Sequence, residues 1–249
     1  MSGEAGATAA VLIAAHGERQ PGATNQGVLR IAQTVRERAI VAEVAVGFIN
    51  GAPGVPEALA GFSARRVIVY PLFAANGYFT RDRLVQLIDE ATGEAREIEM
   101  LAPLGLDPGL PDLVVGMIEQ AASGNGLVPA SSTAVLLAHG SRRNPASREA
   151  TELMARKVVE RGVCRGVAVA FLEEQPDLEE AMRPIEGPAI VVGMFSGDGL
   201  HGARDAPRLI ARLGRPEVVY AGVIGSAPGI ADLIDRAVRA ALDGRKPPS

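Results

Sequence analysis

Three side chains that could bind a metal ion follow short apolar runs in the second half of the chain. They are His139, Glu173 and His201, and the chain holds only three histidines in all. Two neutral imidazole nitrogens and a carboxylate oxygen form a ligand set that suits zinc, iron, cobalt or nickel. Three protein ligands also leave coordination positions open on the ion. These residue types therefore predict a divalent metal site at which chemistry can take place.

Each of these residues also has a plainer interpretation when it is taken alone. A single histidine after a strand is often a surface residue or a loop cap. Glu173 beside Glu174 could be an ordinary solvated carboxylate, and the nearby Asp198 fits a turn between two glycines. The joint position of the three candidates after three separate strands is what favours the metal site.

The elements that would position these ligands alternate between strand and helix. Four short apolar runs are predicted strands, namely Ala134–Ala138, Gly166–Phe171, Ala189–Met194 and Glu217–Gly222. Amphipathic stretches predict helices at Ala146–Arg161, Asp177–Pro184, Arg204–Leu213 and Pro228–Leu242. This alternation is typical of βαβ units and of a parallel sheet. Ligands of such sheets bind outside the carboxyl ends of the strands, so we expect the three side chains at one sheet edge.

The first half of the chain repeats the second. His16-Gly17 recurs as His139-Gly140, 123 residues later, and the offset drifts slowly to 122 and then 120 further along. The predicted domains are a first repeat over 1–122, a linker rich in Gly, Ser and Pro over 123–132, and a second repeat over 133–249. The predicted fold class is α/β, with two tandem domains, each a four-stranded parallel sheet flanked by helices, and an inter-domain cleft.

Three ordered segments of the second repeat resemble a known family. They are His139-Gly140-Ser141-Arg142, Phe171-Leu172-Glu173 and Gly199-Leu200-His201, with Asp205 four residues beyond the last. This order is similar to that of the class II chelatases that act on sirohydrochlorin, the CbiX-like and SirB-like proteins. The resemblance covers essentially the whole chain, because the family includes two-domain forms made by duplication of a chelatase-like domain.

The resemblance implies a lyase that inserts Co²⁺ or Fe²⁺, or Ni²⁺ as in some members, into sirohydrochlorin or a related tetrapyrrole. The pathway would be cobalamin or sirohaem biosynthesis. His139, Glu173 and His201 would hold the incoming metal and help to remove the two pyrrole protons. The ion is then a substrate, no organic cofactor is implied, and the expected partner is an anionic tetrapyrrole.

The first repeat departs from this pattern at two of the three ligand positions. His16 is kept, but Asn50 stands at the position of the glutamate and Phe79 at that of the second histidine. Asn50 is a poor ligand for a transition metal and Phe79 is none, so we expect the first repeat not to bind the ion. His16 could be a remnant, a wall residue of the cleft or a second proton acceptor. Tyr78 and Phe79 could cover a flat ring or take part in ordinary packing.

Five residues are candidates for binding the tetrapyrrole, namely Ser141, Arg142, Arg143, Tyr78 and His16. The guanidinium fork of arginine matches a carboxylate through two hydrogen bonds, which suits an anionic ring. The competing explanation for the arginines is a solvated helix face.

Composition limits the other partners and the location of the protein. A net charge of −4 and an aromatic content of 4% argue against nucleic acid, which needs positive charge and stacking platforms. The single cysteine, Cys164, excludes an internal disulfide. No apolar run reaches the roughly 18 residues of a membrane span and no signal-peptide pattern is present, so we expect a cytoplasmic protein without a membrane partner. Because duplication already supplies two similar sheet edges, we expect a monomer.

Three other classes of function fit only part of the pattern. A non-catalytic tetrapyrrole- or metal-binding protein descended from a chelatase would keep the ligands and lose turnover. A hydrolase that uses Ser141 beside His139 is disfavoured, because adjacent residues seldom present a nucleophile to its base and no Gly-x-Ser-x-Gly elbow is present. A dinucleotide-binding domain is also disfavoured, since no Gly-x-Gly-x-x-Gly follows either first strand.

Overall fold

The computed structural model describes residues 9–17, 25–92, 96–142, 144–197 and 201–244, with the exception of the side chains of His201 and Ala203. Over these residues eight strands form two separate four-stranded sheets, and every strand pair is parallel. The predicted α/β fold, with one parallel sheet in each half, is thereby confirmed. None of the helices in these ranges is long and apolar enough to span a membrane.

The first sheet is built from the first repeat. Its strands are β1 (Ala9–Ala15), β2 (Glu43–Phe48), β3 (Arg66–Leu72) and β4 (Glu97–Met100), in the order β2-β1-β3-β4. The helices between these strands are α1 (Gln26–Glu37), α2 (Val55–Ala60) and α3 (Leu84–Thr92). A π-helical turn, Phe79–Arg83, leads directly into α3.

The second sheet repeats this arrangement after a long helix, α4 (Leu110–Gly124). Its strands are β5 (Thr133–Ala138), β6 (Gly166–Phe171), β7 (Ala189–Gly193) and β8 (Val218–Val223), in the order β6-β5-β7-β8. The remaining helices are α5 (Ala146–Glu160), α6 (Leu178–Met182), α7 (Ala206–Arg212) and α8 (Ile230–Leu242). A second π-helical turn, His201–Asp205, leads into α7.

Burial explains why the strands form where they do. The inner strands β1 and β5 are buried along their full length, as their continuous apolar sequences require. The edge strand β6 is buried only at Ala170 and Phe171, which are its last two residues. The best-packed part of β6 is therefore its carboxyl end, next to the loop that carries Glu173.

Each sheet has its own apolar core. The first core includes Leu12, Leu59, Phe62, Phe73 and Leu84, and the second includes Leu137, Leu178, Met182, Phe195 and Ile210. Phe73 and Phe195 are equivalent positions in the two repeats, 122 residues apart, and each follows the third strand of its sheet. The same buried ring thus anchors the start of the loop after that strand in both copies.

The chain divides into two compact units, and each unit includes the last helix of the other repeat. The first unit comprises the described residues up to Pro108 and from Pro228 onward, and the second comprises Gly109–Ala227. Helix α8 therefore belongs to the unit of β1–β4, and helix α4 belongs to the unit of β5–β8. Both boundaries between the units lie at a Pro-Gly pair, namely Pro108-Gly109 and Pro228-Gly229.

Equivalent ion pairs hold the two exchanged helices. In the first unit Arg38 pairs with Asp232 in the first turn of α8. In the second unit Arg161 pairs with Asp112 in the first turn of α4, with 2.9 Å between Nε and Oδ1. In both units the ion pair thus joins the residue after the first helix of one repeat to the last helix of the other repeat.

These units differ from the predicted domains over 1–122 and 133–249. A sequence repeat reflects duplication, whereas an amphipathic helix packs wherever its apolar face is best covered. The segment predicted as a linker, 123–132, also begins inside α4 and contains a short 3₁₀ turn at Pro129–Ser131. The repeat boundaries themselves stay a prediction.

Candidate metal site

His139 and Glu173 lie together at the carboxyl edge of the second sheet. Strands β5 and β6 pair up to Ala138 and Phe171, and the two segments stay side by side beyond that point. The backbone N–H of Glu173 donates to the carbonyl of His139 over 3.0 Å. The imidazole Nδ1 of His139 is 3.6 Å from Oε2 of Glu173. The structure thus brings together two of the three predicted ligands.

The spacing of this pair suits a shared metal ion. Ligand bonds of about 2.0–2.2 Å place two neighbouring donor atoms on one ion roughly 3.0–3.4 Å apart. A small rotation of either side chain closes the difference from 3.6 Å. Both side chains are open to solvent, at 44% exposure for His139 and 59% for Glu173, so that an ion can reach them.

The backbone at His201 lies on the other side of β5. Strand β7 pairs with β5 opposite to β6, and His201 opens the π-helical turn that follows β7. The hydroxyl of Tyr220 donates to the carbonyl of the next residue, Gly202, over 3.0 Å, which holds the start of this turn against β8. The loop after β7 is thus placed at the same sheet edge as the histidine–glutamate pair.

The third ligand itself falls outside the described side chains. The side chain of His201, together with Asp198, Gly199 and Leu200, is not among the residues that the structure describes. Among those that are described, no three His, Cys, Asp or Glu side chains are close enough to hold one ion. The assignment of His201 as a ligand therefore stays a prediction.

A partly buried ion pair behind the two ligands was not predicted from the sequence. Glu174 accepts hydrogen bonds from the backbone N–H of Ser141 and from the guanidinium of Arg148 in the first turn of α5. Desolvation alone would raise the pKa of Glu174, but these bonds outweigh it and lower that pKa. The same hydrogen bond to Glu174 raises the pKa of Arg148. The sequence contained one sign of this pair. Glu174 and Arg148 are charged, whereas Gly51 and Asn25 stand at the equivalent positions of the first repeat.

The predicted substrate residues of the second repeat lie beside the ligand pair. Ser141 accepts a hydrogen bond at Oγ from the backbone N–H of Asn144, over 3.2 Å. The Nε of Arg142, an exposed residue, donates to the carbonyl of Glu173 over 3.1 Å. Arg142 thus links the loop after β5 to the loop after β6, whereas the bond at Ser141 Oγ lies within one loop. Arg143 lies outside the described residues. Their contact with a tetrapyrrole stays a prediction.

The equivalent place in the first unit is occupied by a hydrogen-bonded histidine. His16 has Nδ1 2.9 Å from the carbonyl of Gly17, and Nε2 3.2 Å from the amide nitrogen of Asn50. A single tautomer satisfies both contacts, with Nδ1–H donating and Nε2 accepting. The ring of Phe79 meets His16 edge-on at 4.6 Å. Because both ring nitrogens are engaged and no carboxylate stands at position 50, this arrangement supports the expectation that the first repeat does not bind the ion.

Two aromatic rings are exposed at this edge of the first unit. Tyr78 is 56% exposed and Phe79 is 41% exposed, and their ring centroids are 5.5 Å apart. Neither ring is part of the buried core. Both rings are therefore accessible, and their contact with a flat ligand stays a prediction.

The fold and this edge together define a duplicated chelatase-like α/β protein. The model of the CbiX family matches residues 10–121 and 133–241, which correspond to the two repeats. The chain therefore belongs to the CbiX family.

Individual relatives agree with this membership. A protein of Halobacterium salinarum, named as a probable sirohydrochlorin cobaltochelatase, is 24% identical over 262 residues, covering 90% of this chain and 89% of the relative. The structure of CbiX, named as the terminal enzyme for biosynthesis of siroheme in denitrifying bacteria, is 27% identical with a TM-score of 0.74, covering 93% and 98% of the two chains. The chelatase SirB from Bacillus subtilis subspecies spizizenii, in complex with cobalt, shares the fold with a TM-score of 0.76 at 18% identity, over 95% and 96%.

Proposed function

We propose that this protein is a sirohydrochlorin chelatase. It inserts Co²⁺ or Fe²⁺ into sirohydrochlorin or a closely related tetrapyrrole, in cobalamin or sirohaem biosynthesis. The observation that carries this proposal is the 3.6 Å approach of His139 to Glu173 at the carboxyl edge of the second sheet, in a chain that belongs to the CbiX family. The metal ion is a substrate of the reaction, and the tetrapyrrole is the other.

The proposed ligands are His139, Glu173 and His201. Insertion requires the ion to leave the protein for four ring nitrogens, so three protein ligands serve better than a closed set of four. Support for His201 comes from the first unit, where Phe79 opens the equivalent π-helical turn and its ring meets His16 at 4.6 Å. The same backbone, repeated in the second unit, suits a contact between positions 201 and 139.

Two protons must leave the ring as the ion enters it. The divalent ion replaces two pyrrole N–H protons, so that charge is balanced when the protein or water takes up both. An imidazole is the side chain that most readily exchanges protons near neutral pH, and a carboxylate beside it stabilises the protonated ring. The pair of His139 and Glu173 therefore serves both as metal ligand and as proton acceptor.

Initial rates of insertion test this proposal. The protein is mixed with sirohydrochlorin and Co²⁺ or Fe²⁺ without oxygen, and the change of the visible spectrum of the ring is followed. We expect turnover well above the spontaneous rate for at least one metal, and a His139→Ala variant that returns to the spontaneous rate. Binding of ring and metal without turnover would overturn the proposal and would identify a non-catalytic tetrapyrrole-binding protein.

The same assay resolves the finer assignments. Comparison of Co²⁺, Fe²⁺ and Ni²⁺ identifies the preferred ion, and we expect full activity without any organic cofactor. Light scattering should show that the active species is a monomer, and an active species that is only a tight dimer would contradict this. We propose the cytoplasm as the location of the reaction.

A further inference from the structure

The ion pair of Glu174 and Arg148 lies between the two loops that carry the proposed ligands. Oε1 of Glu174 accepts the backbone N–H of Ser141 over 3.0 Å. Its other oxygen, Oε2, accepts from the guanidinium of Arg148 at two nitrogens, Nη2 at 2.8 Å and Nε at 3.2 Å. Only 13% of the Glu174 side chain is exposed. One carboxylate thus ties the loop after β5 to the loop after β6 and to helix α5.

The guanidinium of Arg148 is itself held from several sides. It lies over the ring of Phe171, the last residue of β6, with its central carbon 4.5 Å from the ring centroid. It also donates to the carbonyl of Gln175. A planar fork that uses two nitrogens for one carboxylate and stacks on an aromatic face has few other orientations. Arg148 therefore fixes Glu174 rather than merely neutralising it.

The residue between His139 and Ser141 is a glycine in the left-handed conformation, and the carboxylate of Glu174 passes close to it. Gly140 has φ +73°, and a Cβ there would lie 2.8 Å from Cγ and 2.9 Å from Oε1 of Glu174. The same Cβ would also lie 2.9 Å from Cβ of Phe171, so that a side chain at this position would press on both Glu174 and Phe171. Glu174 is thus in contact with the residue after His139 and is covalently next to Glu173.

The first unit lacks this pair at the equivalent positions. Gly51 and Asn25 stand 123 residues before Glu174 and Arg148, and a Cβ on Gly51 would be 3.5 Å from the amide nitrogen of Asn25. The backbone therefore brings the same two positions together in both units. Only the unit with the proposed metal ligands carries the carboxylate and guanidinium there.

We propose that Glu174 and Arg148 are positioning residues, which hold His139 and Glu173 at the separation that the incoming ion requires. This inference rests on the proposed function only for the identity of the two ligands. Neither residue of the pair touches the ion. Their effect is transmitted through the backbone of Ser141 and through the peptide bond between residues 173 and 174.

Co²⁺ binding in the absence of tetrapyrrole tests the inference separately from catalysis. The dissociation constant and the visible absorption bands of bound Co²⁺ are measured for Glu174→Ala, Glu174→Gln, Arg148→Ala and the double alanine variant. Residues that orient metal ligands typically contribute about 10–100-fold in affinity or activity. We expect Glu174→Ala to weaken Co²⁺ binding by this factor and to change the bands. The double variant should lose little more than either single variant, because the two residues act as one unit.

A matched ion pair at the opposite edge of the same sheet separates positioning from general stability. Arg215 and Glu217 are 2.8 Å apart and directly precede β8, at its amino end. Glu217→Ala should leave the dissociation constant for Co²⁺ and the absorption bands of the bound ion unchanged. This should hold even if it lowers the melting temperature as much as Glu174→Ala does. Wild-type affinity and bands in Glu174→Gln and Glu174→Ala would overturn the inference, as would an equal loss in Glu217→Ala.

The outcomes for the two proposals are distinct. A wild-type protein that binds Co²⁺ but inserts no metal into sirohydrochlorin would contradict the proposed function and leave the positioning role intact. In an active wild type, we also expect Glu174→Gln to raise the KM for Co²⁺ more than it lowers kcat at saturating metal. Wild-type values of KM and kcat in both Glu174→Gln and Glu174→Ala would overturn the positioning role alone.

Discussion

The two units share one strand order and differ in the side chains at the carboxyl edge of their sheets. In both, a histidine follows the first strand and is followed by a glycine with nearly the same φ, +70° at Gly17 and +73° at Gly140. In both, a π-helical turn opens at equivalent positions, Phe79 and His201. The comparison shows that similar buried packing supports both edges, whereas the side chains exposed there differ between the units.

The clearest difference between the two edges lies in the partners of the two histidines. His16 is engaged at both ring nitrogens by neutral groups, Gly17 and Asn50. His139 instead faces the carboxylate of Glu173. A neutral amide stabilises one tautomer of a ring, whereas a carboxylate also provides a second ligand for a cation. The same position in the fold is therefore engaged by neutral groups in one unit and lies beside a carboxylate in the other.

The largest contrast should come from removing one histidine from each unit. His201→Ala should abolish insertion, because two remaining ligands cannot hold the ion in a fixed orientation. His16→Ala should have a small effect, since Asn50 and Phe79 could not complete a metal site with it. Initial rates at saturating metal measure both. A proton acceptor typically contributes about 10²–10⁴-fold, so a loss of that order in His16→Ala would show that the chemistry uses both units.

The second contrast is a gain of metal binding in the first unit. The double substitution Asn50→Glu and Phe79→His restores the ligand types that the second unit has at these positions. We expect Co²⁺ stoichiometry, measured by calorimetry or by absorption, to rise from one ion to two per chain, with weaker binding at the new site because it lacks the pair of Glu174 and Arg148. The single variant Asn50→Glu should still bind one Co²⁺ ion per chain. An unchanged stoichiometry in the double variant would mean that the two backbones are less alike than their turns indicate.

A smaller contrast concerns the glycine after each histidine. Gly140→Ala and Gly17→Ala should each lower the melting temperature, because a left-handed conformation costs a residue with a Cβ about 1–2 kcal/mol before any clash is counted. Only Gly140→Ala should also slow insertion, since its Cβ would displace the carboxylate of Glu174. Melting curves and insertion rates on the same preparations check this. Equal slowing by Gly17→Ala would contradict the asymmetry of the two units.

The smallest expected effect is a loss of stability at high pH that arises in the first unit and has no counterpart in the second. Tyr70 in β3 is fully buried and donates its hydroxyl to Asp107 over 3.1 Å, whereas the equivalent position in β7 is Val192. Burial, and then the charge of Asp107, raises the pKa of Tyr70 above its usual value of about 10. The unfolded chain therefore ionises first, and the stabilising contribution is complete below pH ~10 and lost as the pH rises further.

Denaturant titrations between roughly pH 9 and 11 measure this effect. One ionisation that occurs only in the unfolded state lowers the free energy of unfolding by up to about 1.4 kcal/mol per pH unit. In Tyr70→Phe, the free energy of unfolding should fall less steeply with pH above pH ~10, and the difference in slope should be up to this amount. An unchanged slope in Tyr70→Phe would mean that unfolding at high pH begins in the second unit.

The amino-acid sequence determined the fold class and the positions of the proposed ligands. Alternating apolar runs and amphipathic stretches specify strand and helix locally, and a parallel arrangement places every strand's carboxyl end at one edge. Residues that directly follow such strands, as His139 and Glu173 do, can therefore be placed near each other from their positions in the sequence. The drifting repeat likewise predicted two sheets of the same topology, which the protein has.

Only the tertiary structure decided which surfaces and side chains meet across long stretches of chain. The exchange of α4 and α8 between units depends on which sheet covers an amphipathic face, and the amphipathic pattern alone does not say which sheet that is. The pairing of Glu174 with Arg148 joins a loop to a helix 26 residues away, and each residue alone resembles an ordinary surface charge. The engagement of His16 by Asn50 depends on rotamers and a tautomer. Such contacts are set by three-dimensional complementarity, which the periodicity of a sequence does not encode.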